Sequence, residues 1–322
     1  MEIIKPGTHV DFVRWMKPVA TVSILLTLAA LALIFFKGFN YSIDFAGGVE
    51  MRVEFPPDVT IDQVRDSVSK MNLEGIEVIS FLVEGKNVYS IKAKGEQHAT
   101  AEAAEAQEGH QEGDLPDVAK LLFEKIQADF GADKVAVVST DLVGPRVGKD
   151  LRKKGVFAIV YALVGIMVYV GWRFNFRYAP GALASLAHDV IIIAGVCIVL
   201  DKEMSLQIIA VLLTIAGYSV NDTVVIFDRI REGGVTYRGK SVEDAVNDSL
   251  NDTLSRTILT GMTTLAVLLV MYFVGSEITR DFAELLLIGI VIGTYSSVFV
   301  ASPVYIWLEK KSLARRKAQK KR

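Results

Sequence analysis

The chain has 322 residues, 51% of them hydrophobic, a mean hydropathy of +0.37 and a formal net charge of −2. That apolar content excludes an ordinary water-soluble protein, and the net charge by itself identifies no partner. The single cysteine, Cys197, excludes a disulfide within the chain.

The apolar residues come in blocks. A helix crossing ~30 Å of hydrocarbon needs about 20 apolar residues. Six stretches meet that need: Pro18–Phe36, Gly155–Trp172, Ala179–Leu200, Ser205–Phe227, Thr257–Gly275 and Phe282–Leu308. They predict an α-helical polytopic membrane protein with six transmembrane helices, divided into a cytoplasmic segment 1–17, a first span 18–36, an exported domain 37–154, a five-helix bundle 155–308 and a basic tail 309–322. The first span reads as a retained anchor. Its apolar run is longer than a signal-peptide core, and no small-x-small cleavage site follows it.

Between spans one and two, Val49–Phe55 alternates as a strand, and Thr60 caps a helix Ile61–Met71 with Ile61, Val64, Val68 and Met71 on one face. Ile76–Val83 and Val88–Ala93 read as a strand pair, Asp117–Phe130 as an amphipathic helix and Lys134–Val143 as a closing strand. The order β-α-β-β-α-β predicts an α+β, ferredoxin-like domain. The segment Gly95–Leu115 interrupts it. Rich in Ala, Glu, Gln and Gly and without Lys or Arg, it cannot bury enough apolar surface to order itself. His98 and His110 within it have no partner spacing for a metal, so a solvated acidic insert is expected, and no metal or cofactor.

Basic residues cluster in alternate connections: Lys5, Arg14 and Lys17; Arg173 and Arg177; Arg229, Arg231, Arg238, Lys240 and Arg256; and eight in the tail from Lys310 to Arg322. The positive-inside rule then places both termini in the cytoplasm and residues 37–154 outside. Lys149, Arg152, Lys153 and Lys154 run against the trend but end a long loop, which translocates largely regardless of charge. Ser241–Ser255, with Val242, Val246, Leu250 and Leu254 on one face, reads as an amphipathic helix on the cytoplasmic membrane surface, against the bundle. Ser241 and Asp244 form its capping box.

Two carboxylates stand inside spans: Asp189 in the third and Asp222 in the fourth. An ionised group at the bilayer centre costs about 2.5–3.5 kcal/mol on insertion scales, and such groups usually mark an ion or proton path. Helical spacing puts Gly181 and Ser185 on the face of Asp189, and Thr214, Gly217, Asn221 and Asp228 in one stripe with Tyr218, Asp222 and Arg229 beside it. Arg256, Thr260 and Thr264 share a face of span five, as do Gly289, Gly293 and Ser297 in span six. Small and hydroxylated stripes are either packing seams or parts of a polar path. An Asp222–Arg256 ion pair would keep the carboxylate ionised, whereas separating the two would favour a proton on it; a static salt bridge is the other reading. His188, next to Asp189, points ~100° away along the helix and is the weaker relay candidate.

Three segments resemble the SecD/SecF family of protein-translocase subunits, in the resistance-nodulation-division superfamily: Ser42-Ile-Asp-Phe-Ala-Gly-Gly-Val49, Asp141-Leu-Val-Gly-Pro-Arg-Val-Gly148, and Gly217 to Glu232 with its Asp228-Arg229 exit. Within them Asp44, Gly47, Gly48, Gly144, Pro145, Asp228 and Arg229 are the motif residues; Ser255-Arg256-Thr257 and Thr260-Gly-Met-Thr-Thr264 fit as well. The resemblance covers essentially the whole chain, apart from the insert.

It implies a non-enzymatic, inner-membrane subunit that pairs with SecD, associates with the SecYEG channel and often YajC, and uses the proton gradient to draw emerging polypeptide outward. Membrane lipids are expected around it and nucleic acid is not. In the partner's matching helix an Asp stands where this chain has Asn221, so Asn221, Asp222, Arg256, Asp189 and Thr260 are the proton-coupling candidates across a shared interface, with Gly217, Ser185, Gly289 and Gly293 as packing candidates. Two other classes remain open. One is a proton-driven half-transporter of lipids or small molecules. The other is an intramembrane aspartyl protease using Asp189 and Asp222, against which the Gly-x-Gly-Asp signature is missing.

Overall fold

The computed structural model describes residues 9–71, 76–83, 86–94, 117–174, 176–236 and 239–320. The acidic insert 95–115 lies outside them. Six helices are long and apolar enough to cross a membrane. They are α1 (Phe12–Phe36), α5 (Pro145–Arg173), α6 (Ala179–Val199), α7 (Leu206–Thr236), α8 (Val242–Val274) and the pair α9 (Glu277–Ser296) and α10 (Ser302–Lys320), which together form the last span. The chain is thus a multi-pass membrane protein. The third span is 67% buried and the first 11%, so α6 is the central post and α1 lies outside it. Gly195 permits that contact, since a Cβ there would sit 2.7 Å from the Cβ of Ala30.

Between α1 and α5 come α2 (Ile43–Ala46), β1 (Gly48–Phe55), α3 (Ile61–Ser69), β2 (Ile76–Val83), β3 (Lys86–Lys94), α4 (Asp117–Phe130) and β4 (Ala136–Val143). The strands form one antiparallel sheet ordered β2-β3-β1-β4, the ferredoxin-like arrangement. Period-two alternation buries Met51, Val53 and Phe55 against Val64 and Val68 of α3 and Leu122 and Ile126 of α4. The register of β4 slips between Arg52 and Val53, which leaves Val138 unpaired and 55% exposed. Thr60 and Gln63 form a reciprocal capping box at α3.

The other face of the sheet, with Glu50, Arg52 and Lys92, looks onto the short turn between α6 and α7 across a polar cavity. There Lys92 lies 3.4 Å from Glu203, which Lys94 also contacts, and Lys202 binds Asp281 and Glu284 at 2.6 and 2.8 Å. Burial opposes the charge on Lys202, but these two carboxylates outweigh it and hold the ammonium above the usual lysine range. The Glu203→Lys substitution would place a third cation between Lys92 and Lys94. Like-charge juxtaposition costs several kcal/mol, so amide exchange in β3 and in the turn Leu200–Ser205 is expected to rise roughly tenfold or more; unchanged protection would show that apolar packing alone docks the sheet.

Two expectations are corrected. Ser241–Ser255 is not a separate surface helix: it is the first half of α8, continuous through Val274. No glycine or proline interrupts the run before Gly261. Val246 and Leu250 do pack against the bundle, buried with Met16, Ile226 and Ile230, and the side chains of Asn247 and Asn251 grip the backbone of Val10 and Phe12. Nor is the last span one regular helix. Residues Ser297–Ala301 form a π-turn. Pro303 has no N–H for the carbonyl four residues earlier, and Ser302 Oγ donates to Ser297 O at 3.1 Å.

Candidate functional site

The inward face of α7 carries Ile215, Ser219, Asp222, Thr223 and Ile226, all buried. Glycine brings α9 against it: a Cβ at Gly289 would run into Ile215, and one at Gly293 would lie 3.0 Å from the Ser219 Cβ. Gly181 of α6 serves the same end against the carbonyl of Ala301 and the ring of Phe227. Such close approach leaves room only for short hydroxyls between helices.

Asp189, fully buried, sits where α6, α7 and α9 meet. Ser219 and Ser296 donate to its Oδ2 at 2.6 and 2.9 Å. His188 Nδ1 lies 2.8 Å from its Oδ1. With Asp189 ionised, and so only accepting, Nδ1 carries the ring proton and Nε2 accepts from the hydroxyl of Tyr295 at 3.0 Å. Ser23 of α1 donates in turn to that hydroxyl at 3.3 Å. His188 is therefore a direct polar partner of Asp189. The ~100° between neighbouring Cα–Cβ directions did not keep the ring from folding back. Ser185 stays buried on the same helix but bonds Ala182 O.

Asp222 is 2% exposed, and its Oδ2 has no hydrogen-bond partner among the described residues. The polar groups acting on it are the Arg256 guanidinium and Thr294 of α9. No Asp222–Arg256 ion pair forms within 4.0 Å among the described residues: Arg256 is exposed on α8. Thr260 turns its hydroxyl to the carbonyls of Arg256 and Thr257, and Thr264 bonds Thr260 O. Thr214, Gly217 and Asn221 share an exposed face of α7, with nothing within 4 Å of a Cβ at Gly217; Gly217 thus lies on no seam inside this chain. At the end of α7, Asp228 binds Arg231 at 2.7 Å and Arg229 binds Asp252 of α8 at 2.7 and 2.9 Å.

The glycine motifs meet at the sheet-domain end. Asp44 Oδ2 accepts from the Leu206 amide at 3.0 Å and so caps the start of α7. Gly47 and Gly48 have φ of +83° and +147°, and a Cβ on Gly47 would lie 2.9 Å from Pro145 Cα. Gly144 is the N-cap of α5, Pro145 its first residue, and Gly148 comes close to the Phe45 carbonyl.

Sequence reasoning passed over Ser23, Ser219, Thr223, Thr294, Tyr295 and Ser296. Their signal was available: each is a hydroxyl in an otherwise apolar span, and Ser219 stands three residues before Asp222.

The chain resembles known proteins over nearly its whole length. A family described as "Protein export membrane protein SecD/SecF, C-terminal" matches residues 123–311, and the "SecD/SecF GG Motif" matches residues 32–59. The protein translocase subunit SecF of Helicobacter pylori strain J99 is 38% identical over 309 residues, covering 96% of this chain and 90% of that protein. The protein translocase subunit SecDF of Thermus thermophilus is 35% identical over 306 residues, 94% of this chain and 38% of the longer protein. The crystal structure of SecDF, a translocon-associated membrane protein from the same genus, superposes with a TM-score of 0.77 at 32% identity, covering 96% of this chain and 40% of that one. With both motifs in place on six spans and a ferredoxin-like domain, the chain belongs to the SecD/SecF family of protein-export membrane proteins, as a SecF-type translocase subunit.

Proposed function

We propose that the chain couples the proton gradient to late steps of protein export, paired with a SecD-type partner and associated with the SecYEG channel and YajC. The observation that carries this reading is Asp222: a carboxylate 2% exposed inside a membrane helix, one oxygen unpartnered among the described residues, with Arg256 near but not ion-paired with it. A group so placed releases a proton when Arg256 moves toward it and binds one when Arg256 moves away. One charge carried through 100 mV is worth about 2.3 kcal/mol, enough to bias a conformational equilibrium.

The exposed face holding Thr214, Gly217, Asn221 and Arg256 suits a second six-span bundle, and the fusion of a SecF-like half into SecDF supports SecD as its owner. On this reading the protein lies in the bacterial inner membrane with both termini cytoplasmic. Residues 37–154 are periplasmic, where they meet unfolded polypeptide. The basic tail faces anionic lipid at ~1 kcal/mol per Lys or Arg near the surface.

Pulse-chase export of a secreted precursor tests it, in cells whose sole copy carries Asp222→Asn or Arg256→Met. Losing ~2.3 kcal/mol of drive per 100 mV should slow export by an order of magnitude or more. Normal export by a stable, partner-bound Asp222→Asn protein would refute the reading.

A further inference from the structure

We infer that His188 and Asp189 form a second proton-binding dyad, joined to Tyr295 and Ser23 by a reversible hydrogen-bond chain and tied to Asp222 by one turn of α9. The inference rests on the proton-coupling reading above.

The chain Ser23–Tyr295–His188–Asp189 is continuous, with links of 3.3, 3.0 and 2.8 Å. As drawn it carries one negative charge: Asp189 is a carboxylate, His188 is neutral with its proton on Nδ1, Tyr295 donates to Nε2 and Ser23 donates to Tyr295. A proton delivered from water by the gradient is taken up at Nε2, the Tyr295 hydrogen passing to the ring as the phenol takes the incoming one. The Nδ1 hydrogen passes in turn to Asp189 Oδ1, so the carboxyl now donates to Nδ1, Nε2 donates to the Tyr295 oxygen, and the Tyr295 hydrogen turns to Ser23 Oγ. The Ser23 hydroxyl is left to its own helix backbone. Every link survives with its direction reversed and the net charge goes from −1 to zero.

A brace between helices needs no such reversibility; Ser219 and Ser296 already supply one on Oδ2. The Nε2 end is also the less sealed one. Ser23 and His188 line an open groove of about 520 Å³ between α1, α6 and α10, whereas Asp189 is at 0% exposure. Among the described residues no other ionisable side chain lines that groove. The titratable groups facing the dyad from neighbouring helices are Tyr295 on α9 and, three residues beyond Ser219 on α7, Asp222.

Four consecutive residues, the last three of α9 and the first of the π-turn, link the two sites. Thr294 acts on Asp222, Tyr295 bonds His188, Ser296 bonds Asp189, and Ser297 lies 3.0 Å from Thr223 on α7. The π-turn begins at Ser297, and such turns recur at functional sites because an extra residue in the turn lets a segment change register. A change at either carboxylate therefore pulls on the same turn.

Infrared difference spectra against pH, on the full chain with its partner in nanodiscs, test this. The wild type should show pH-dependent protonated-carboxyl bands, of which Asp189→Asn removes one and Asp222→Asn another. Tyr295→Phe keeps the ring that stands edge-on to His188 but lacks the hydroxyl, and should slow proton uptake by the Asp189 band after a pH jump by about a hundredfold, the lower range for a positioned proton-transfer group. No band lost in Asp189→Asn, or unchanged uptake in Tyr295→Phe, would make the dyad a fixed brace and overturn the inference. Because the readout is the band and not export, normal export by Asp222→Asn would count against the coupling reading separately.

Discussion

Gly48→Val is expected to detach the sheet domain from the membrane bundle. Gly48 has φ +147°, and a side chain there would drive into the Ala93 carbonyl on the neighbouring strand. Backbone strain at such a position costs about 1–3 kcal/mol and overpacking a further 1–3, a sum comparable to much of a small domain's stability. Neighbouring Gly47 cannot yield, because Pro145 stands against it. A lowered unfolding temperature of the sheet domain, or rapid proteolysis between α2 and α5 in membranes, would report the effect. Gly38 also has positive φ (+71°) but nothing within 4 Å, so Gly38→Ala should cost only the conformational term, about 1 kcal/mol. Equal effects of the two substitutions would disprove the steric argument.

Removing both hydroxyls from Asp189, as Ser219→Ala with Ser296→Ala, should destabilise the bundle far more than Asp189→Asn does. Hydrogen bonds to a charged group are worth about 1.5–3 kcal/mol each, so the double substitution is expected to cost about 3–6 kcal/mol. It leaves Oδ2 buried where no water can replace the serines. Asp189→Asn keeps an acceptor and both serines, and should cost about 1 kcal/mol. Thermal unfolding in detergent decides. A double variant within about 1 kcal/mol of wild type would mean that the site relaxes and finds other donors.

Much of this architecture is legible without coordinates. Six apolar runs of sufficient length dictate six crossings, because the bilayer leaves a helix no other way to satisfy its backbone. Strict alternation in Val49–Phe55 and the 3.6-residue spacing of Asp117–Phe130 mark the sheet domain equally well. The failures have physical causes. The apolar face of Ser241–Ser255 shows that it packs on something, here Met16 and Ile226, but periodicity alone does not show that the helix runs on without a break into span five. A π-turn preserves hydropathy, so only Pro303 hinted at one in the last span. Asp222 and Arg256 share an end of the bundle by sequence, yet side-chain exposure separates them. The cluster around Asp189 depends on rotamers of His188 and Tyr295, and periodicity carries no information about rotamers.

The continuity of α8 has a mechanical consequence. Thirty-three residues at 1.5 Å make a rod of about 50 Å, and Arg256 is its fifteenth residue, close to the midpoint. A tilt of ~10° about that point moves the two ends by about 4 Å in opposite directions. One end is clasped to the start of α1 through Asn247 and Asn251, and the other finishes at Gly275 beside the first turn of α9. Arg256 thus stands at the fulcrum of a lever: a small local displacement there becomes a see-saw between the two faces of the membrane, with no hinge in the helix to absorb it.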